Sequence, residues 1–190
     1  LRVRYQRERR VKVQLAPANL RWCSDAALEK LAATAAEHDV PLHMHLLETP
    51  YQKEYARRRS GGTAVEPLAR FGLVDRRLTI GHGVWLTERD IELLAEAGSC
   101  VCHNCSSNLR LRSGMAPLNR LEARGVATAI GIDEAGLNDD RDMLQEMRLV
   151  LHAHRVPGMD EADVPTPAQV LRMATEGGAR TTLFAPLVGT

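Results

Sequence analysis

Pro41-Leu-His-Met-His-Leu-Leu-Glu48 decides how the rest of the chain is read. It begins as an apolar run with strand character. A strand sends side chains i and i+2 to the same face, so His43 and His45 point together. Glu48 follows three residues after His45, where the strand should give way to a loop closed by Thr49-Pro50. A buried strand has no structural use for two imidazoles and a carboxylate at its end. The stretch therefore predicts a functional site, with a metal site as the reading to test.

Outward from it, strand and helix patterns alternate. Upstream, Val11-Lys-Val-Gln-Leu15 alternates and reads as a strand ended by Ala16-Pro17, and Ser24 is an N-cap for a helix over 25–38. Downstream, Thr49 caps a short charged helix over 51–58, Ser60-Gly-Gly62 breaks it, and a second helical piece covers 64–71. Arg77-Leu-Thr-Ile-Gly-His82 is a strand. Thr87 with Asp90 resembles a capping box and opens a helix through Ala97, where Ile91, Leu94 and Ala95 share a face and Gly98 ends it. Cys100-Val-Cys-His103 is a short strand, and 104–115 reads as a polar loop. A helix over 116–124 stops at Gly125, and 126–133 is a continuous buried strand. Amphipathic helices follow over 142–155 and 167–176.

The pattern predicts an α/β fold with a parallel sheet of five strands. A doubly wound sheet would normally carry a glycine-rich phosphate turn; Gly81-His-Gly83 lacks the third glycine, and no G-x-x-x-x-G-K-[ST] occurs. A (β/α)8 barrel instead gathers chemistry at the carboxyl ends of several strands. His45 with Glu48, His82, His103 and Asp133 all fall there. Five strands cannot close a barrel, so the expected fold is a partial (β/α)8 TIM barrel of about five C-terminal β/α units.

Composition narrows the function classes. The chain has 190 residues and a net charge of +1, which gives no electrostatic case for nucleic acid or a membrane surface. The basic opening (Arg2, Arg4, Arg7, Arg9, Arg10) reads as a solvated segment. No apolar run approaches the ~20 residues of a membrane span. Four cysteines do not suggest a disulfide framework, and cytoplasm is the default location. The chain opens with Leu1 rather than Met, which suggests a piece of something longer.

His45, His82 and Asp133 form the convergent set, each at or near the end of a different predicted strand. A catalytic zinc or iron site needs imidazole and carboxylate ligands with one position open to water. Taken singly, each residue also has a plain structural reading, as a hydrogen-bonded strand end or a cap; together, with Glu48 beside His45, they favour a site.

Four motifs then carry a resemblance: Leu42-His-Met-His-Leu-Leu-Glu-Thr49, Thr79-Ile-Gly-His-Gly83, His103-Asn with Ser107-Asn-Leu109 and Gly114-Met-Ala-Pro117, and Gly131-Ile-Asp133 with Asn138-Asp-Asp and Asp142-Met-Leu. In order and spacing the chain resembles the amidohydrolase superfamily, in the branch of cytosine, guanine and S-adenosylhomocysteine deaminases and triazine chlorohydrolases. The resemblance implies a metal-dependent hydrolytic deaminase of a small N-heterocycle. Metal-activated water attacks a C=N carbon, and ammonia is released. His45 and Asp133 would be ligands to one divalent metal, zinc first and iron second. Asp133 would also accept the water's proton, and His82 would hold that water. Glu48 would protonate a ring nitrogen, and His43 would support the ligands. His103 and Asn108 are candidate substrate contacts, with loop self-hydrogen-bonding as the alternative.

The family's first-strand His-x-His is absent. His152-Ala-His154 lies in a helix, where i and i+2 point ~200° apart and cannot share a metal, so these two have a structural or surface role. The expected picture is therefore the C-terminal portion of a single catalytic barrel, residues 1–190. Its other ligands would lie in a missing segment, and the piece alone would be inactive and poorly stable because opened strand edges are exposed. A homo-oligomer of the full-length protein is left open. Ala18, Leu137 and Glu134 depart from the pattern of the S-adenosylhomocysteine enzymes and suggest a less polar heterocycle. Dechlorination on the same fold, or a non-catalytic half-barrel, are the alternative functions. Cys102-His-Asn-Cys105 reads as reduced thiols beside a pocket loop, for want of a second C-x-x-C.

Overall fold

A computed structural model of the chain describes residues 2–5, 8–137, 140–185 and 187–189. Arg7 of the basic opening and Asn138-Asp139 of the fourth motif lie outside the described residues. After one helical turn, α1 (Arg2–Tyr5), the order is α2 (Asp25–His38), β1 (Leu42–Leu46), α3 (Pro50–Ser60), α4 (Val65–Arg70), β2 (Leu78–His82), α5 (Glu88–Ala97), β3 (Cys100–His103), α6 (Cys105–Arg110), α7 (Leu118–Ala123), β4 (Ala127–Ile130), α8 (Met143–Ala153) and α9 (Pro167–Arg172). A π-helical turn, Met173–Gly177, then leads into α10 (Gly178–Thr181).

The strands form one parallel sheet in the order β1-β2-β3-β4, each joined to the next by at least one helix. The described sheet thus has four strands rather than five. The expected strand over 11–15 contributes a single parallel bridge, Leu15 to Leu42, with His43 N–H donating to Leu15 O at 2.8 Å. Pro17 has no N–H to extend the ladder, and beyond it the segment meets β1 again through the bond from His45 N–H to Ala18 O at 3.2 Å.

The sheet has two unlike faces. Leu42, Met44 and Leu46 of β1, Ile80 of β2 and Val101 of β3 pack into the larger apolar core with Leu28, Leu68, Ile91 and Leu94 from the helices. The opposite face carries His43 and His45, in register with Thr79 and Gly81, and then Cys100 and Cys102 beside Ala127 and Ala129. A second apolar cluster joins Cys105, Leu118, Ile130, Val150, Val170 and Met173, with Met143 and Met147 packed against it. The π-helical turn closes on β4 so tightly that a Cβ at Gly177 would lie 2.3 Å from Thr128 O. Only glycine allows that approach.

Local signals act where the sequence placed them. The Ser24 side chain accepts from Ala27 N–H, and Thr49 caps α3. Thr87 and Asp90 form the reciprocal capping box of α5, which Gly98 ends at φ 65°. The segment over 104–115, expected as loop, instead contains α6. The buried Asp90 also accepts Val65 N–H at 2.9 Å, tying the start of α4 to the start of α5. Its carboxylate thus holds three donors: Val65 N–H, Thr87 N–H and the Thr87 hydroxyl.

Asp90→Ala would leave the buried Val65 N–H without an acceptor and remove the box. The expected loss is about 2–4 kcal/mol of stability, read as a lower urea midpoint with an unchanged slope. An unaltered midpoint would contradict this role.

Candidate metal centre

The rim at the carboxyl ends of the strands is built by breaks in strand alternation. His45 lies on the open face of β1 and is exposed. His82 ends β2 on the same side as Ile80, so alternation alone would turn it into the core. Its backbone adopts φ 74°, and the ring instead stacks on His45 with centroids 5.4 Å apart and 26° between planes. Asp133, three residues past β4, has φ 64°. The His82 Nε2 to Asp133 Oδ2 distance is 3.7 Å, and ligand atoms of His45, His82 and Asp133 all lie within 4.8 Å of one another.

Hydrogen bonds set which lone pairs are free. His45 Nδ1 lies 3.0 Å from Ala18 O. A carbonyl only accepts, so Nδ1 carries the hydrogen and Nε2 is left bare. Metal-binding imidazoles characteristically make such a bond through the ring nitrogen that does not bind the metal. His82 Nδ1 lies 2.9 Å from Asn108 Oδ1, which likewise leaves Nε2 as an acceptor. Asn104 Nδ2 approaches the same nitrogen at 3.5 Å, too far to compete with the amide oxygen. Asp133 accepts the Ser107 hydroxyl on Oδ2 at 2.6 Å and Glu134 N–H on Oδ1 at 2.8 Å. Both oxygens keep a lone pair for a cation.

A bare neutral imidazole nitrogen and an anchored carboxylate fit a divalent zinc-type ion. Among the described residues this set offers at most three donors, so a four-coordinate shell needs more. Glu48 sits half-buried on the turn after β1, past Leu47 at φ 54°, with its N–H donating to Gln52 Oε1 at 3.0 Å. His43 shares the face of His45, and burial is the main cause pushing its pKa down, with His45 and His82 adding to it.

His103 and Asn108, the candidate substrate contacts, are both completely buried. His103 shares the β3 side of Val101, so alternation sends it behind the sheet, where its Nε2 meets His154 Nε2 at 3.0 Å. Asn108 gives its Oδ1 to His82, while its Nδ2 is buried without a hydrogen-bond partner. Of the helical pair, His152 is exposed and His154 is buried at the end of α8, so they part as expected. Cys102 and Cys105 are buried free thiols, both pushed up to about 12 chiefly by burial. Ser107 is the site residue that sequence reasoning missed. Its signal was its place in the Ser107-Asn-Leu109 motif, within a segment taken for loop.

The amidohydrolase family model matches residues 3–190. The chain belongs to the amidohydrolase family. It is 38% identical to a 5-methylthioadenosine/S-adenosylhomocysteine deaminase of Desulforudis audaxviator over 95% of this chain and 42% of that protein. Its fold matches an adenosine deaminase from Xanthomonas campestris with bound zinc, at TM-score 0.93 and 34% identity, over 99% of this chain and 43% of that one. It also matches an atrazine chlorohydrolase from Arthrobacter aurescens with zinc, at TM-score 0.87 and 26% identity, over 99% and 43%. This amidohydrolase chain therefore spans about two-fifths of the length of such relatives, and its sheet and helices are part of a TIM-barrel hydrolase fold.

The buried imidazole pair makes stability depend on pH. Burial is the largest cause lowering His103 to about 3 and His154 to about 4, against 6.5 for an ordinary imidazole. The unfolded chain takes up protons below 6.5 and the folded chain does not, so stability is full above that pH and falls from 6.5 down to about 4 for His154 and about 3 for His103. From pH 7 to 5 the expected loss is about 2 kcal/mol per imidazole, and His154→Phe should flatten the slope. Urea midpoints independent of pH over that range would refute it.

Proposed function

We propose that the protein containing this chain is a metal-dependent hydrolytic deaminase of an N-heterocycle. The observation that carries the reading is the convergence of His45, His82 and Asp133 within 4.8 Å at the rim, with Glu48 on the adjoining turn. Further support comes from deaminases of this family over nearly the whole chain. In this reading residues 1–190 are the C-terminal portion of one catalytic barrel, and the missing donors come from its first strands.

His45 Nε2 and the Asp133 carboxylate hold one divalent ion. Zinc is favoured over iron because solved relatives carry zinc. When bound, such an ion lowers the pKa of water from ~15.7 toward ~7 and so supplies hydroxide at neutral pH. Ser107 and Glu134 N–H keep the Asp133 carboxylate aimed, and Asp133 takes the proton lost by the water. His82, its Nδ1–H held by Asn108, accepts a hydrogen bond from the attacking water on Nε2. Glu48 in its acid form gives a proton to the ring nitrogen beside the carbon under attack. Asp133 passes its proton to the amine, which leaves as ammonia, and Glu48 recovers a proton from the hydroxyl that becomes the carbonyl.

The proposed substrate is a small heterocycle, and the proposed location is the cytoplasm. No described helix is long and apolar enough to cross a membrane, and the cysteines are free thiols. A chlorohydrolase is the second reading, favoured by the likeness to the atrazine enzyme.

The test is ammonia and chloride release by the full-length, zinc-loaded protein on aminopyrimidines, aminopurines and chlorotriazines. Ammonia is the expected product, and Glu48→Gln should lower kcat/KM by roughly 10²–10⁴-fold. Chloride without ammonia would select the second reading; neither product, in a protein that holds its zinc, would sink both. Ser107→Ala should lower zinc affinity by roughly 10-fold, the scale of losing a bond that orients a ligand. Unchanged affinity would remove Ser107 from the site.

A further inference from the structure

Behind the sheet, on the side away from His45, lies a second group of side chains that the proposed reaction does not use. His103 ends β3, Cys105 opens α6, and His154 follows the last turn of α8. All three are buried, and their ligand atoms lie within 4.8 Å of one another. The imidazoles meet Nε2 to Nε2 at 3.0 Å with centroids 5.0 Å apart, and Asn119 Nδ2 anchors the His154 carbonyl at 3.0 Å. Two imidazoles on a tetrahedral zinc place their nitrogens about 3.3 Å apart, so the pair is already close to that spacing.

Two further atoms bear on this group. His103 Nδ1 is buried without a hydrogen-bond partner, so the ring has only His154 to bond. Glu146, only 1% exposed, spends Oε1 on Ser106 N–H at 3.0 Å, while its Oε2 is buried and unpartnered. The Glu146 carboxylate acts electrostatically on Cys105, adding to the burial that holds the thiol protonated. A buried divalent cation requires negative charge around it. A Cys105 thiolate and the Glu146 carboxylate would neutralise one. Met115 Sδ, 3.9 Å from Cys105 Sγ, makes the surroundings softer still.

We propose that His103, Cys105 and His154 form a second, structural metal site that takes zinc or a cation of similar softness. Imidazole and thiolate donors favour such ions over magnesium or calcium. Both imidazoles stay neutral down to about pH 4, so their lone pairs are available at neutral pH. Cys105 supplies its thiolate by losing its S–H proton to solvent as the ion enters; metal binding therefore releases one proton. The site would pin the end of β3 and the start of α6 to the end of α8. Since α6 also carries Ser107 and Asn108, it would brace the helix that orients Asp133 and His82.

Cobalt serves as the probe, because a thiolate ligand gives cobalt(II) a near-ultraviolet charge-transfer absorption that histidine and carboxylate ligands do not. The full-length protein, stripped and reloaded with cobalt or zinc, should show that absorption and bind one more metal per chain than its Cys105→Ser variant. His154→Gln should also lose the absorption, so the outcome does not depend on one variant folding. Wild-type protein without the absorption, or with the same metal content as both folded variants, would overturn the proposal. An absorption that survives Cys105→Ser would overturn it too, by placing the thiolate elsewhere.

Discussion

A parallel strand can send a side chain to only two sides, and nearly every residue of interest in this chain is governed by that choice. On β1 the odd positions, His43 and His45, face the open side and the even positions face the apolar core. On β3 the parity is reversed in numbering but not in logic: Cys100 and Cys102 take the open side, while Val101 and His103 go behind. The fate of His103 follows from that parity. It shares a sequence motif with rim residues, yet its strand position commits it to the buried layer with His154.

His82 is the exception, and its backbone explains why. Left-handed conformations at residues with a Cβ cost about 1–3 kcal/mol and persist only where the surroundings enforce them. Here they recur at Leu47, His82 and Asp133, three rim positions. Neighbouring bonds hold them: Gly83 N–H to Leu46 O at 3.1 Å and Trp85 N–H to Leu47 O at 2.9 Å bind the two rim turns together. Without the turn at His82, its ring would follow Ile80 into the core and could not stack on His45.

Polar support for the rim comes from unexpectedly compact sources. One six-residue helix, α6, supplies both Ser107 to Asp133 and Asn108 to His82. A backbone carbonyl, that of Ala18, sets the tautomer of His45. That last contact does not depend on the side chain at position 18. A residue that departs from the pattern of related enzymes can therefore still orient the imidazole, while changing what a substrate would meet there.

The sequence by itself determined the elements whose causes are local. Periodicity and capping residues placed α2, α5 and β1 to β4 to within a few residues, and the i, i+2 spacing put His43 and His45 on one face. Only the tertiary structure decided the rest, because the causes lie far apart in the chain. Pro17 and the edge of β1 together reduced an alternating segment to one bridge at Leu15. The polar run around Ser107 became a helix because its side chains found Asp133 and His82, 26 residues away in either direction. His103 acquired a partner 51 residues downstream, which no periodicity can announce. Strand ends told where titratable side chains would gather; the left-handed turns and long-range bonds decided which of them meet there.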